Sequence, residues 1–284
     1  MKFHLSLIAA LAAGLAFNAY GGDGPITRAR VDHRSEVTAL LKSIQTRDPA
    51  PAAAIDPEKY IQHNLGGSDG LAAFQGLLAA APPSTQVNTV RVFQDGDFVF
   101  AHTDYDFFGR QAGFDIFRYE NGKIVEHWDN LQPESSTSTP SGHTLFDGPV
   151  AATVGHDAGS TEYNKALVRT FMDEVMVDGH VDAVVKYVDG KTLVQHDPAI
   201  ADGVAAYRDA LAKQASASSY VVLHEVLGQG DFVLAVSSRK LAGKPQAAYD
   251  LFRISDGKIV EHWDVVADIP PPSNWSNGNG KFGF

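Results

Sequence analysis

Between Asp115 and Asp129 the chain reads DIFRYENGKIVEHWD, and between Asp250 and Asp264 it reads DLFRISDGKIVEHWD. In each place an apolar run rich in aromatic and β-branched residues meets Asn-Gly or Asp-Gly and resumes beyond it, the short-range signature of a β-hairpin. Upstream, Val37, Leu40, Leu41 and Ile44 recur at helical spacing, which predicts a helix from Glu36 to Thr46 that Asp48-Pro49 ends. A second helical piece runs toward Lys59, and Tyr60–Asn64 is a short extended segment. A third helix follows, with Asp69 as its N-cap and Leu71, Phe74, Leu77 and Leu78 facing inward, until Pro82-Pro83 stops it. Strands from Val87 to Phe93 and from Phe98 to Tyr105, turning at Asp95-Gly96, lead into the hairpin.

The second half repeats this order. Leu167, Val168, Phe171, Met172 and Val175 mark one face of a helix from Asn164 to Val177, and Leu193–Asp197 matches the Tyr60 segment. Asp202 then caps a helix carrying Val204, Tyr207 and Leu211, before strands from Tyr220 to Leu227 and from Phe232 to Arg239. Helices first and a strand meander after them is α+β order. The chain is a tandem duplication, with domains over residues 31–132 and 160–268.

Register decides which hairpin side chains share a face. A two-residue Asn-Gly loop pairs Glu120 with Lys123 and sets Asp115 opposite Trp128. A three-residue loop with a left-handed Gly122 pairs Tyr119 with Lys123 and sets Asp115 opposite His127. The second register is preferred because it puts Asp115, Phe117, Tyr119, Val125, His127 and Asp129 on one face. Ile116, Arg118, Ile124, Glu126 and Trp128 then take the other, with Arg118 and Glu126 as diagonal neighbours of opposite charge. Applied to the second copy, it brings Asp250, His262 and Asp264 together. A facing Asp and His with a further Asp is an acid–base set if that face lines a cavity.

Composition narrows the partners. The stretch from Lys2 and His4 through an apolar run to small residues near Gly21 reads as a signal peptide over residues 1–22, implying export to the periplasm or beyond the cell. With no Cys, disulfides and thiolate metal sites are excluded. Asp and Glu (34) outnumber Lys and Arg (23), for a net charge of -11, so neither nucleic acid nor an anionic membrane surface is an expected partner. A small apolar or carbonyl-containing ligand fits better. Residues 133–159, rich in Ser, Thr, Pro and Gly, read as a linker, and residues 269–284 as a disordered tail.

The run YIQHN before a capped helix, followed by FDIFRYENGKIVEHWD, resembles the SnoaL-like branch of the nuclear-transport-factor-2-like superfamily, and both copies carry the resemblance. It implies two cone-shaped curved antiparallel sheets, each wrapped by about three helices around an internal pocket, and a monomer whose copies pair as an intramolecular pseudo-dimer. The superfamily includes polyketide cyclases, ketosteroid isomerases and dehydratases, and also domains that only bind ligands. By resemblance, Asp115 and Asp250 match the isomerase position that donates a hydrogen bond to the substrate oxyanion, while His127, His262, Asp129 and Asp264 match pocket-facing positions. Asp197-Pro198 resembles the isomerase general base, where the first copy has Asn64-Leu65. The isomerase tyrosine on the first helix has no counterpart, its place falling near Met172.

In the first copy the expected catalytic set is Asp115, His127, Asp129, His63 and His102. Asp250, His262, Asp264, His196, Asp197, Phe117 and Tyr119 are expected to bind substrate. His102 has Val236 as its counterpart, which favours the first copy for catalysis. His63, His102, His127 and Asp115 are ligand types for zinc, yet no spacing signature accompanies them, and neither metal nor cofactor is expected. The expected function is a cofactor-independent cyclase, isomerase or lyase of aldol type using an Asp/His pair. The alternative is a non-catalytic ligand-binding or association module.

Overall fold

The apolar runs build two copies of one curved sheet, each carrying helices on one face. The computed structural model describes residues 31–134, 139–153, 159–191 and 193–284. The first copy comprises α1 (Arg34–Thr46), a 3-10 turn (Ala50–Ala54), β1 (Ile61–Gln62), α2 (Leu71–Ala80), β2 (Gln86–Asp95), β3 (Phe98–Asp106), β4 (Arg110–Glu120) and β5 (Lys123–Pro133). The second comprises α3 (Gly159–Phe171) continued by a π turn (Met172–Val177), a 3-10 turn (Val181–Lys186), β6 (Val194–Gln195), α4 (Val204–Ala217), β7 (Ser218–Gln229), β8 (Phe232–Leu241), β9 (Lys244–Ser255) and β10 (Lys258–Asp268). The sheet orders are β1-β5-β4-β3-β2 and β6-β10-β9-β8-β7. The expected α+β architecture of two tandem curved sheets is present. The sheets are mixed, however, because the short β1 and β6 run parallel to β5 and β10.

The hairpin register differs from the preferred one. Asn121 and Gly122 both have positive φ (53° and 77°), as a two-residue type I′ loop requires, and Glu120 pairs with Lys123. A bulge then inserts Val125, after which Arg118 pairs with Glu126 and Asp115 with Asp129, so His127 faces Phe117 and lies diagonal to Asp115. The face assignment of Asp115, Phe117, His127 and Asp129 survives this change. Ile124 moves to the inner face beside Tyr119, and Val125 becomes the unpaired residue. The second copy repeats the arrangement around Asp256-Gly257 and Val260.

Asp69 and Asp202 do not cap helices. Gly70 and Gly203 hold the N-cap positions at φ 88° and 94°, where L side chains are strained. The two carboxylates instead accept the backbone N–H of Gln62 and Gln195, each at 2.8 Å, and so tie each short strand to the helix that follows.

The concave face of each sheet packs on its own helices. Val37, Leu40, Leu41 and Ile44 of α1 meet Val99, Phe117 and Ile124, while Val168, Phe171 and Met172 meet Val233, Phe252 and Ile259. The convex faces pack on each other. Phe93, Phe100, Phe114, Ile116 and Trp128 form one apolar cluster with Phe232, Leu234, Tyr249, Leu251 and Trp263.

Neither the segment between the copies nor the C-terminal stretch is loose where it is described. In the former, Leu145 is buried in the shared cluster, and the Asp147 carbonyl accepts from Arg91 Nη2 (2.9 Å) and Trp263 Nε1 (3.0 Å). In the latter, expected to be disordered, Ser276 N–H donates to Leu65 O (2.7 Å) and Asn277 Nδ2 to the carbonyls of Asn64 and Gly67 (2.8 Å each). Phe284 stacks on Trp128 with ring centroids 4.5 Å apart. Side-chain bonds from Asn and terminal aromatics hold this stretch, which is why its apolar pattern does not announce it. The segments dock alike: His196 Nδ1 meets Thr144 O at 2.7 Å, and His63 Nδ1 meets Gly280 O at 2.8 Å. Each copy is thus strapped by the chain that leaves the other.

The expected signal peptide lies outside the described residues, as does part of the linker. Among the described residues no helix is long and apolar enough to cross a membrane.

Because the copies share an apolar cluster, chemical denaturation is expected to give one cooperative transition for the whole chain. Trp263→Ala, which empties a fully buried position, is expected to cost about 3–5 kcal/mol. Two separate transitions by fluorescence and circular dichroism would contradict a shared core.

Candidate functional site

Strand alternation carries Asp115 and Phe117 of β4 and His127 and Asp129 of β5 onto the concave face of the first sheet. There they line a cavity of about 530 Å³, roofed by Leu41 and Ile44 of α1 and Phe74 and Leu77 of α2. A cavity of this size suits a small organic ligand. Asp115 (4% exposed), His127 (8%) and Asp129 (5%) all sit well below the surface.

The hydrogen bonds fix a protonation pattern. Gln62 Oε1 accepts from Asn64 N–H (2.8 Å) and faces His127 Nδ1 (2.9 Å), so Nδ1 carries a hydrogen. His127 Nε2 then faces Asp115 Oδ1 at 3.3 Å. Tyr105 hydroxyl donates to the other oxygen, Asp115 Oδ2, at 2.7 Å. Burial pushes the Asp115 carboxyl above the usual Asp range and the nearby Asp129 charge adds to this, while the bonds from His127 and Tyr105 oppose it. Burial, reinforced by the Asp115 charge, also raises the Tyr105 phenol well above its ordinary value, so it remains a donor. Asp129 is held differently. Its Oδ2 accepts from Asn64 Nδ2 (2.5 Å), and Lys281 Nζ lies 2.5 Å from its carbonyl and 3.5 Å from Oδ1.

Other expected site residues lie elsewhere. His63 is buried on the convex side, stacked on Trp128 at 4.7 Å with Nε2 2.9 Å from Glu126 Oε1, and His196 repeats this against Trp263 and Glu261. The cause is pleat: the cavity side of that segment belongs to its neighbours Gln62 and Asn64. His102 also faces the convex side, stacked on Phe114 at 4.3 Å and accepting from Arg91 Nη1 at 2.8 Å. Burial, with the Arg91 charge beside it, drives this imidazole well below its usual range, and burial lowers the Arg91 guanidinium to about 10. His102 therefore packs the shared core rather than serving the cavity. Tyr119 is buried against His33 (3.9 Å) beyond the cavity wall, whereas Phe117 stacks on His127 at 4.6 Å.

The second copy reproduces the pair in a more closely packed setting. His262 Nδ1 faces Gln195 Oε1 (2.9 Å) and Nε2 faces Asp250 Oδ1 (3.0 Å). Tyr207, at the place of Phe74, is 2% exposed, lies 5.2 Å from the His262 ring and belongs to one buried cluster with Phe171 and Phe252. Arg239 replaces Tyr105 and bonds Gln246, and Asp250 Oδ2 is buried without a hydrogen-bond partner among the described residues. Burial, and then the charges of Asp197 and Asp250, push Asp264 well above the usual Asp range.

Sequence reasoning did not single out Gln62, or Asn64 beyond its place opposite Asp197, nor Tyr105 or Lys281. Alternation about His63 carries the signal for the first two; none points to Lys281. The zinc-type set of His63, His102, His127 and Asp115 is not assembled. Asp115, His127 and Asp129 do bring ligand-type atoms within 4.8 Å. Lys281 already stands as the cation on Asp129, and Asp115 and His127 face each other, so the set fits a proton better than a divalent ion.

The SnoaL-like domain profile matches residues 37–127 and 168–262, more than half of the chain. The chain belongs to this family, twice over. Among solved structures it is similar to a SnoaL-like protein from Jannaschia sp. provisionally named a polyketide cyclase (18% identity, 39% of this chain and 91% of that one, TM-score 0.34). It is also similar to a Kribbella flavida protein provisionally named a ketosteroid isomerase (15% identity, 42% and 87% covered, TM-score 0.35). A third is an NTF2-like protein of unknown function from Cytophaga hutchinsonii (15% identity, 37% and 95% covered, TM-score 0.32). No curated protein matches the chain.

The raised Asp264 gives a signed pH prediction. Its folded state favours the protonated form, so its contribution to stability is fully present below the unfolded value near 3.8 and is lost as pH rises through the folded value. Asp264→Asn is therefore expected to raise the melting temperature by a few degrees at neutral pH. The gain should vanish toward about pH 3. A gain that grows on acidification would contradict this sign.

Proposed function

We propose that the first copy is an acid–base catalyst acting next to the carbonyl of a small apolar compound, as a cofactor-independent cyclase, isomerase or lyase. One observation carries the reading: the Asp115–His127 pair, 3.3 Å apart, lines an apolar-walled cavity of about 530 Å³, where burial raises the Asp115 carboxyl so that it can carry a proton. A bound carbonyl oxygen would meet that proton as negative charge develops on it. Asp129, with Lys281 beside it, is the carboxylate placed to take the proton from the adjacent carbon. The C–H bond breaks, its electrons move to the oxygen as an enolate, and the two carboxyls divide the acid and base roles. Return of the proton to another carbon is isomerisation. Attack by the enolate carbon on a second carbonyl closes a ring, and expulsion of a β-substituent is elimination. His127 orients Asp115 and spreads the charge, Tyr105 steadies it, and Phe117 packs the ring of His127.

In this proposal the second copy supports the first, since Tyr207 lies in its buried core. Export is part of the same reading and rests on the sequence of residues 1–22 alone. Native mass spectrometry of protein purified from its host would identify a retained ligand, and ligand without turnover would favour the binding-module alternative.

The catalytic reading is tested by deuterium exchange at carbon next to the carbonyl in a panel of small apolar ketones, followed by proton NMR. The native chain is expected to exchange at least one of them. Asp115→Asn should slow this by about 10²-fold or more. Asp250→Asn should leave it unchanged. Equal losses from both substitutions, or exchange that ignores Asp115, would defeat the assignment to the first copy.

A further inference from the structure

We infer that Lys281, brought from the C-terminal extension of the second copy, is a positioning residue for the first copy's site that holds Asp129 as the proton acceptor. This rests on the acid–base reading above, and is tested without any substrate.

The geometry is specific. Lys281 Nζ reaches the Asp129 carbonyl at 2.5 Å and its carboxylate at 3.5 Å, with the lysine side chain 12% exposed and the aspartate 8%. The extension is fixed on both sides of this contact. Asn279 Nδ2 donates to Gln62 O (3.0 Å) and Asp69 Oδ1 (2.7 Å), Gly280 O meets His63, and Phe284 stacks on Trp128. Gly283 lies so close that a Cβ there would stand 2.7 Å from His63 Cε1. An ammonium held this firmly at a buried carboxylate stabilises its charged form.

The second copy supplies the comparison within one molecule. Its strap also docks on the equivalent histidine, but the strap's His143 imidazole lies 3.3 Å from Asp202 rather than at Asp264. At Asp264 burial and the charges of Asp197 and Asp250 outweigh the opposing charge of Arg239, and the carboxyl favours protonation. Each aspartate thus has a carboxylate neighbour, Asp115 or Asp250, and the difference at Asp129 is Lys281, with Asn64 in place of Asp197. Around Asp129 the titratable groups are Asp115 on β4, His127 on its own strand, Tyr105 on β3, Tyr60 before β1, Tyr249 on β9 and Lys281. Lys281 is the cation that bonds it. In this proposal Lys281 sets Asp129 apart from Asp115 as the base of the site.

The experiment is carbon-13 NMR of the Asp side-chain carboxyls in the full chain at about pH 5, where an ordinary Asp is ionised. In the native protein the carboxyl signal of Asp129 should be that of an ionised group. Lys281→Met should move that signal most of the way toward the protonated position, and Lys281→Arg should restore the native pattern. An unmoved Asp129 signal in Lys281→Met, or an Arg variant that behaves like the Met variant, would overturn the role. Loss of ketone exchange in Asp115→Asn bears on the acid–base reading and not on this one, so the two can fail separately.

Discussion

One inserted residue in β5 decides what the cavity contains. Above Val125 the hairpin keeps the pairing that a two-residue loop dictates; below it every partner is displaced by one position. Without that bulge Asp115 would lie opposite Trp128, the indole would enter the cavity, and His127 would turn into the shared core. With it, Trp128 faces the other copy and His127 faces Asp115. Backbone count, rather than any side-chain attraction, therefore separates the chemistry on one face from the association surface on the other, and the same displacement at Val260 does so again.

The two faces are coupled through the straps. Glu126 takes His63 and Arg118 on the convex side, while His127 and Asp129 beside it serve the cavity. In the second copy burial would raise Glu261, yet the bonds from His196 and Arg253 outweigh it and hold this carboxyl below the usual Glu range. Charge inside the convex layer is thus locally balanced, which lets strap, sheet edge and facing copy pack closely. The close approach of Gly148 shows how close: a Cβ there would stand 2.8 Å from the Trp263 ring.

Much of this was legible in the residues. The repeat, the order of helices and strands and the common face of Asp115, His127 and Asp129 follow from apolar period and Asn-Gly or Asp-Gly punctuation. Three things were not. The bulge has no composition of its own, since Val125 looks like any strand valine. The orientation of His63 and His102 depends on pairing partners distant in sequence, so imidazoles that suggested chemistry became core. The C-terminal stretch conceals its order, because Asn277 and Asn279 hold it through side-chain bonds to distant backbone that no periodicity records.

A cavity is also a mechanical debt. Space lined by apolar side chains forfeits the dispersion contacts that a filled core would make, so an interior of this kind weakens the fold that carries it. Here duplication separates the burden from the work. In the second copy Tyr207 lies in the buried core, and that copy is joined face to face with the hollow one through a single apolar cluster. The more closely packed copy acts as ballast, leaving the open copy free to vary its cavity wall without each change being answerable to the stability of the whole.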